Sequence, residues 1–253
     1  MGTDREGTGM KGFRAVALTL VAGLVAVGMP VLPGAAEEPK SGTPTTTVNA
    51  PVYKPPLRGA PGGRVGGGTR GASARDMFVL SALVPENSGL TVSEQPSLYW
   101  FISSVTTLPV EVAITDPRAT QPLLEIRLPA PVQPGMHRIK LTDHGISLAP
   151  GVAYRWSVTV IPDLNRRSRD ILAGGVIERV EAPASLREKL AQSRKDEHPF
   201  LYAEAGIWYD ALTVLSELID HTPHDAQLKK QRSALLTQVG LPEIVEEGAK
   251  TPR

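Results

Sequence analysis

The chain has no cysteine in 253 residues. That excludes disulfides, thiolate zinc sites, a cysteine nucleophile and a lipid anchor carried on cysteine. Net charge is nearly absent as well: the formal value is +1, so no global field steers the protein toward a nucleic-acid polymer. Aromatic residues are scarce at 5%, and where they cluster the cluster carries information. Beyond the first 36 residues no apolar run reaches the length of a membrane span, which takes about 20 residues.

What stands at the N-terminus reads as an export signal. Lys11 and Arg14 form a positive segment, Ala15 to Met29 is apolar apart from Thr19 and glycines, and Pro30 and Pro33 end any helix. Gly34-Ala35-Ala36 then places small residues just before Glu37-Glu38, the order of a cleaved secretory signal. Residues 1–36 are expected to be removed after Ala36, leaving a periplasmic or secreted protein with no transmembrane segment. A retained anchor is the competing reading, but the stretch is short for one and is broken by Gly and Pro.

Residues 37–76 turn to Gly, Pro, Thr and Arg. Few large apolar side chains remain to offset the entropy of ordering, so a disordered arm is expected. Within it, Arg58-Gly59-Ala60-Pro61-Gly62-Gly63-Arg64-Val65-Gly66-Gly67-Gly68-Thr69-Arg70-Gly71 gathers glycines and arginines. No strand precedes the run and no Gly-Lys-Ser/Thr follows it, so it is not read as a nucleotide loop. It is a solvated linker or a basic arm touching an anionic surface.

From 77 to 182 the period is two. Val110, Val112 and Ile114, then Leu124, Ile126 and Leu128, then Tyr154, Trp156, Val158 and Val160, each alternate with more polar or smaller neighbours. Strands with one buried and one wet face have this pattern. Ser97 to Ile102 sets Tyr99 and Phe101 against Trp100, as a strand covered on both faces would. Further strands are expected at Met77–Val84, Arg138–Leu141 and Val176–Val180. About seven short strands between Pro, Gly and Asn turns predict an Ig-like or fibronectin-like antiparallel β-sandwich. Tyr154, entering its strand from Leu148-Ala149-Pro150-Gly151, matches a tyrosine corner, whose hydroxyl bonds backbone a few residues upstream. Tyr154, Trp156 and Trp100 are accordingly assigned to packing.

Residues 183–245 take a helical period, making the chain α+β, and residues 246–253 are expected to fray. Ser185 with Glu188 reads as a capping box. Leu201, Ile207 or Trp208, Leu212, Leu215 and Leu218 form one apolar stripe ending near His221 and Pro223, and Asp225 opens a last helix that stops at Gly240 and Pro242. Tyr202, Ala211, Leu215, Leu218 and Pro223 resemble the second half of a tetratricopeptide repeat, Ala211 allowing close helix approach and Pro223 ending the second helix. A lone hairpin of that type is not stable by itself, so it must pack on the sandwich or on another molecule. Trp208 and Tyr209 point about 100° apart on a helix. One is therefore expected to pack between hairpin and sandwich, with core packing the default for Trp208, and the other to contact a partner.

Several phrases follow one another along the chain: Arg58-Gly59-Ala60-Pro61, Gly68-Thr69-Arg70-Gly71, Leu83-Val84-Pro85, Gly89-Leu90-Thr91-Val92-Ser93-Glu94-Gln95-Pro96, Tyr154-Arg155-Trp156, Arg167-Ser168-Arg169-Asp170, Ile177-Glu178-Arg179-Val180 and Tyr202-Ala203-Glu204 through Leu212. The set resembles a bacterial family known as the domain of unknown function numbered 928, over roughly Arg58 to Val245. The resemblance implies architecture and export, and no established activity. Many of its members carry a cysteine after the Arg-Gly phrase and another near the end of the Tyr-x-Trp strand. Their absence here implies a more loosely held arm.

Asp163-Leu164-Asn165-Arg166-Arg167-Ser168-Arg169-Asp170 falls between two predicted strands, on a loop at one end of the sandwich. Arg166, Arg167 and Arg169 with Asp170 either grip a carboxylate or phosphate or pair among themselves to hold the loop. His221 and His224 flank Pro223 at a helix end, so they do not share a helical face as a paired-His metal site requires. Ser168 and Ser185 lack a His in a nucleophile motif. The sequence therefore predicts a non-enzymatic module with no metal or cofactor. Its candidate contact residues are Arg166, Arg167, Arg169, Asp170, Trp208 and Tyr209. The expected partner is an envelope protein or, alternatively, an anionic surface glycan or phosphorylated polymer.

Overall fold

The computed structural model describes residues 49–56, 63–66, 79–242 and 244. The export signal, most of the 37–76 arm including Arg58 and Arg70, and the 246–253 tail lie outside the described residues. In chain order the strands are β1 (Val65–Gly66), β2 (Leu80–Ala82), β3 (Gly89–Thr91), β4 (Ser97–Ile102), β5 (Val110–Thr115), β6 (Leu124–Leu128), β7 (Gly135–Lys140), β8 (Ala153–Val160) and β9 (Ile171–Arg179). The helices α1 (Ala184–Gln192), α2 (His198–Glu204), α3 (Trp208–His221) and α4 (Ala226–Gln238) follow. This is the α+β class, with two sheets and then helices. No helix of the described residues is long and apolar enough to cross a membrane.

One sheet has the order β1-β9-β8-β5-β6, with β3 also beside β9; the other is β2-β4-β7. All pairings are antiparallel except β3 with β9. In the larger sheet Val110, Val112 and Ile114 stand opposite Val160, Val158 and Trp156, and all six are buried, so alternation puts one apolar face inward. Tyr154 starts this face, and its hydroxyl accepts the Ala149 N–H at 3.1 Å, five residues upstream. In the smaller sheet every residue of central β4 is buried. Trp100 stacks on the facing His137 ring, centroids 4.3 Å apart. Tyr99, on the opposite face, stands beside Arg138, whose guanidinium reaches Asp220 of α3 at 3.4 Å. Through this pair α3 meets the smaller sheet, and Trp208, Leu212, Leu215 and Leu235 belong to the same core cluster as the strands.

Two local readings are corrected and one is made specific. Ser185 caps nothing: α1 starts at Ala184, with Pro183 before it and the Pro183 carbonyl taking the Leu186 and Arg187 N–H groups. The stripe from Leu201 to Leu218 is shared by two helices, α2 and α3, as the hairpin reading has it. Gly206 at φ +76° turns the chain between α2 and α3, a conformation in which glycine alone is comfortable. A Cβ at Gly206 would also lie 2.7 Å from the Lys54 carbonyl oxygen. Asn49–Pro56 and Gly63–Gly66, assigned by composition to a disordered arm, are in place on the body. Val65 and Gly66 pair with Gly174 and Ala173, and Tyr53 is buried edge-on to Trp208. Backbone pairing and one aromatic anchor supply what the arm's composition lacks. At the other end of the helices, the Asp225 carboxylate caps α4, accepting from the Gln227 and Leu228 N–H groups at 2.7 and 3.1 Å.

Candidate functional site

The arginine loop is braced by ion pairs. Arg167 Nε donates to Asp170 Oδ2 at 2.7 Å and its Nη2 to Glu111 Oε2 at 3.0 Å. Arg127 Nη2 donates to the other oxygen of Glu111 at 2.7 Å. Glu111 and Arg127 face each other across β5 and β6, so the loop rests on the sheet through one shared carboxylate. The Arg127 bond, and then Arg167, hold Glu111 below the usual carboxylate range, while Glu111 and Asp170 raise the Arg167 guanidinium. Asp163 Oδ1 accepts the Asn165 N–H at 2.9 Å, and Arg166 approaches Asp163 at 3.9 Å. The structure therefore separates the predicted residues by partnership: Arg167, though exposed, is paired with Asp170 and Glu111, whereas Arg166 and Arg169 are exposed and make no bond to either carboxylate. Leu164 at the tip is 59% exposed. Ser168 sits in a single 3-10 turn spanning Arg167–Arg169.

In the second predicted pair the packing default for Trp208 agrees with the structure, and the partner-contact reading is corrected. Trp208 and Tyr209 are both fully buried, so neither is offered to a partner. Trp208 Nε1 donates to the Leu83 carbonyl at 2.9 Å. Tyr209 hydroxyl accepts from Trp156 Nε1 at 2.8 Å and donates to the Val176 carbonyl at 3.2 Å, and burial raises its pKa. The reason is geometric: α3 is covered on two sides, by the sandwich and by the Tyr53 segment, so residues 100° apart both find cover. Glycine makes the approach possible, since a Cβ at Gly89 would lie 2.6 Å from the Tyr209 ring. Ala211 is buried beside them, and Pro223 lies in the turn after α3.

Where α3 meets the β3–β4 connection a cleft of about 320 Å³ opens, lined among others by Ser93, Gln95, Lys140, Asp210, Thr213 and Glu217. Sequence reasoning missed Asp210. It sits in the first turn of α3 and accepts the Thr91 hydroxyl at 2.7 Å and the Val92 N–H at 3.1 Å, both on Oδ2. Burial outweighs these bonds and pushes its pKa up to about 6. The polar residue placed directly after Trp-Tyr in an otherwise apolar helix start was the available signal. Among the described residues no group of three or more His, Cys, Asp or Glu is placed to hold a metal ion.

No curated protein matches the chain significantly. The family model described as Domain of Unknown Function (DUF928) matches residues 65–249, a span holding both sheets, the arginine loop, the cleft and all four helices, so the chain belongs to that family.

Proposed function

We propose that the chain is an exported, non-enzymatic interaction module of the cell envelope, docking a protein partner through the Asp163–Asp170 loop. The observation that carries this reading is the bracing of the loop. Arg167 is committed to Glu111 and Asp170, and this bracing supports an outward presentation of Leu164, Arg166 and Arg169. A rigid loop bearing one apolar and two cationic side chains loses little entropy when it binds. It suits a partner surface with an apolar hollow between carboxylates. An anionic glycan or phosphorylated polymer is the second reading, favoured by Arg169, which has no acidic partner among the described residues. It would use Arg166 and Arg169 without Leu164.

The test is a crosslinked pull-down from native envelope extract with residues 37–253, beside L164D and R166E/R169E variants. Recovery of one protein partner that both variants lose is the expected result. Equal recovery by all three would overturn the loop as the docking site. A polysaccharide or polyphosphate lost only with R166E/R169E would select the second reading.

A further inference from the structure

Asn49–Pro56 lies on the helices as an extended peptide lies in a receptor groove. Pro51 and Tyr53 are buried while Val52 and Lys54 are exposed, the period-two alternation of a bound strand. Side chains of α4 read its main chain. Gln231 Nε2 donates to the Asn49 carbonyl at 2.9 Å. Gln238 Nε2 donates to the Pro51 carbonyl at 2.8 Å, and its Oε1 accepts the Tyr53 N–H at 2.9 Å. One amide thus clasps a C=O and an N–H two residues apart, as the backbone of a neighbouring strand would. The Lys54 N–H donates to the Ala203 carbonyl at 3.0 Å where α2 ends. The Tyr53 ring fills the space beside Trp208, centroids 5.0 Å apart.

These are the parts of a peptide-recognition site. The main-chain bonds accept an extended backbone of many sequences, and the tyrosine pocket selects among them. Nothing in the chemistry requires the peptide to be continuous with the groove. We infer that the α2–α4 surface is a peptide-binding groove with Asn49–Pro56 as its cis-bound occupant, exchangeable for the same segment of a second copy of this chain. Continuity gives the cis segment an effective concentration in the millimolar range, so intact monomers keep their own segment until the chain is concentrated or cut. Exchange of an identical element between copies is a low-cost route to dimers.

The probe is a fluorescent peptide of residues 49–56, offered to the chain carrying a protease sequence inserted between Pro56 and Gly63, before and after cutting. Saturable binding is expected only after cutting, weakened about tenfold or more by Q238A and likewise by a Y53A peptide. Binding that ignores both changes, or a cut chain that takes up no peptide while remaining folded, would overturn the inference. A second arm uses intact protein, so that unfolding on cutting does not decide the outcome. With no native cysteine, V52C at a 61% exposed position accepts donor and acceptor dyes on separate batches. Energy transfer that grows with concentration and incubation, together with a dimer by size, is expected for segment exchange. A monomer without transfer at every concentration would sink the second-copy assignment.

Discussion

The helix–sandwich seam and the Asp163–Asp170 loop are both built around a dense knot of side chains, and they use it in opposite ways. At the seam the knot is dry. Trp156, Tyr209 and Val176 form one hydrogen-bonded chain, Trp208 is tied to Leu83, and the rings remove of the order of 200 Å² each from water. At the loop the knot is wet: Arg127 and Arg167 are more than half exposed although they bond Glu111. Pairs of that kind are screened by solvent and contribute little to stability. The seam therefore holds the fold together, and the loop is where a residue can change without unfolding the protein. Conspicuous clustering in a sequence does not distinguish the two. What decides is whether the polar atoms are satisfied inside the molecule or left to water.

The comparison breaks most readily at Trp208. Trp208→Ala is expected to cost about 3–5 kcal/mol, read as a lower midpoint in chemical denaturation, with the sheets and helices still unfolding in one transition. A loss below about 1 kcal/mol, or two separate transitions, would mean that the helices do not share the core of the sandwich.

A smaller effect, with a definite sign, is expected at Asp210. Its pKa is about 6 in the folded chain against about 3.9 for an unperturbed Asp, so between those values the native state binds the proton more tightly. Stability then falls as pH rises through that window. Two units correspond to at most about 3 kcal/mol, less because the carboxylate borders the open cleft. Lys140 and Glu217 also line this cleft, and the carboxylates whose pKa is lowered by their arginine partners, such as Glu111, give a response of the opposite sign. The melting temperature should rise on going from pH 7.5 to pH 5, and the part of that rise due to Asp210 is what Asp210→Asn should remove, while raising stability at pH 7.5. An unchanged slope in the Asn variant would assign the pH response elsewhere.

Much of the framework was legible because it rests on periodicity. Ser97–Ile102 carries apolar side chains on both faces, and it is the strand covered on both sides. Val110 to Thr115 alternate, and they form a half-buried strand; Ala153 to Val160 alternate only as far as Ser157, since Val158, Thr159 and Val160 are all buried. Asp225 at the head of a helical run is its cap. What escaped depends on long-range cover. Burial of both Trp208 and Tyr209 requires a second wall, and that wall is Tyr53, about 150 residues away in a stretch whose composition argues for disorder. The pairing of β3 with β9 is parallel and involves three residues on each side, too short for any periodic signal. The arginine loop was legible in position but not in partnership, because Glu111 comes from a strand 56 residues earlier.

The finest test of the contrast is Arg167→Ala. If its two bonds position the loop without supporting the fold, the melting temperature should hardly move. The amides of Asp163–Asp170 should meanwhile exchange hydrogen faster, since the guanidinium no longer links Asp170 to Glu111. Arg167→Lys should recover only part of that protection, because a single ammonium cannot span two carboxylates as a planar guanidinium does. Glu111→Gln should loosen the same amides from the opposite side by weakening both Arg167 and Arg127. A substantial drop in melting temperature with unchanged loop exchange would reverse the assignment, making the ion-pair knot part of the fold and leaving the presentation of Leu164, Arg166 and Arg169 unexplained.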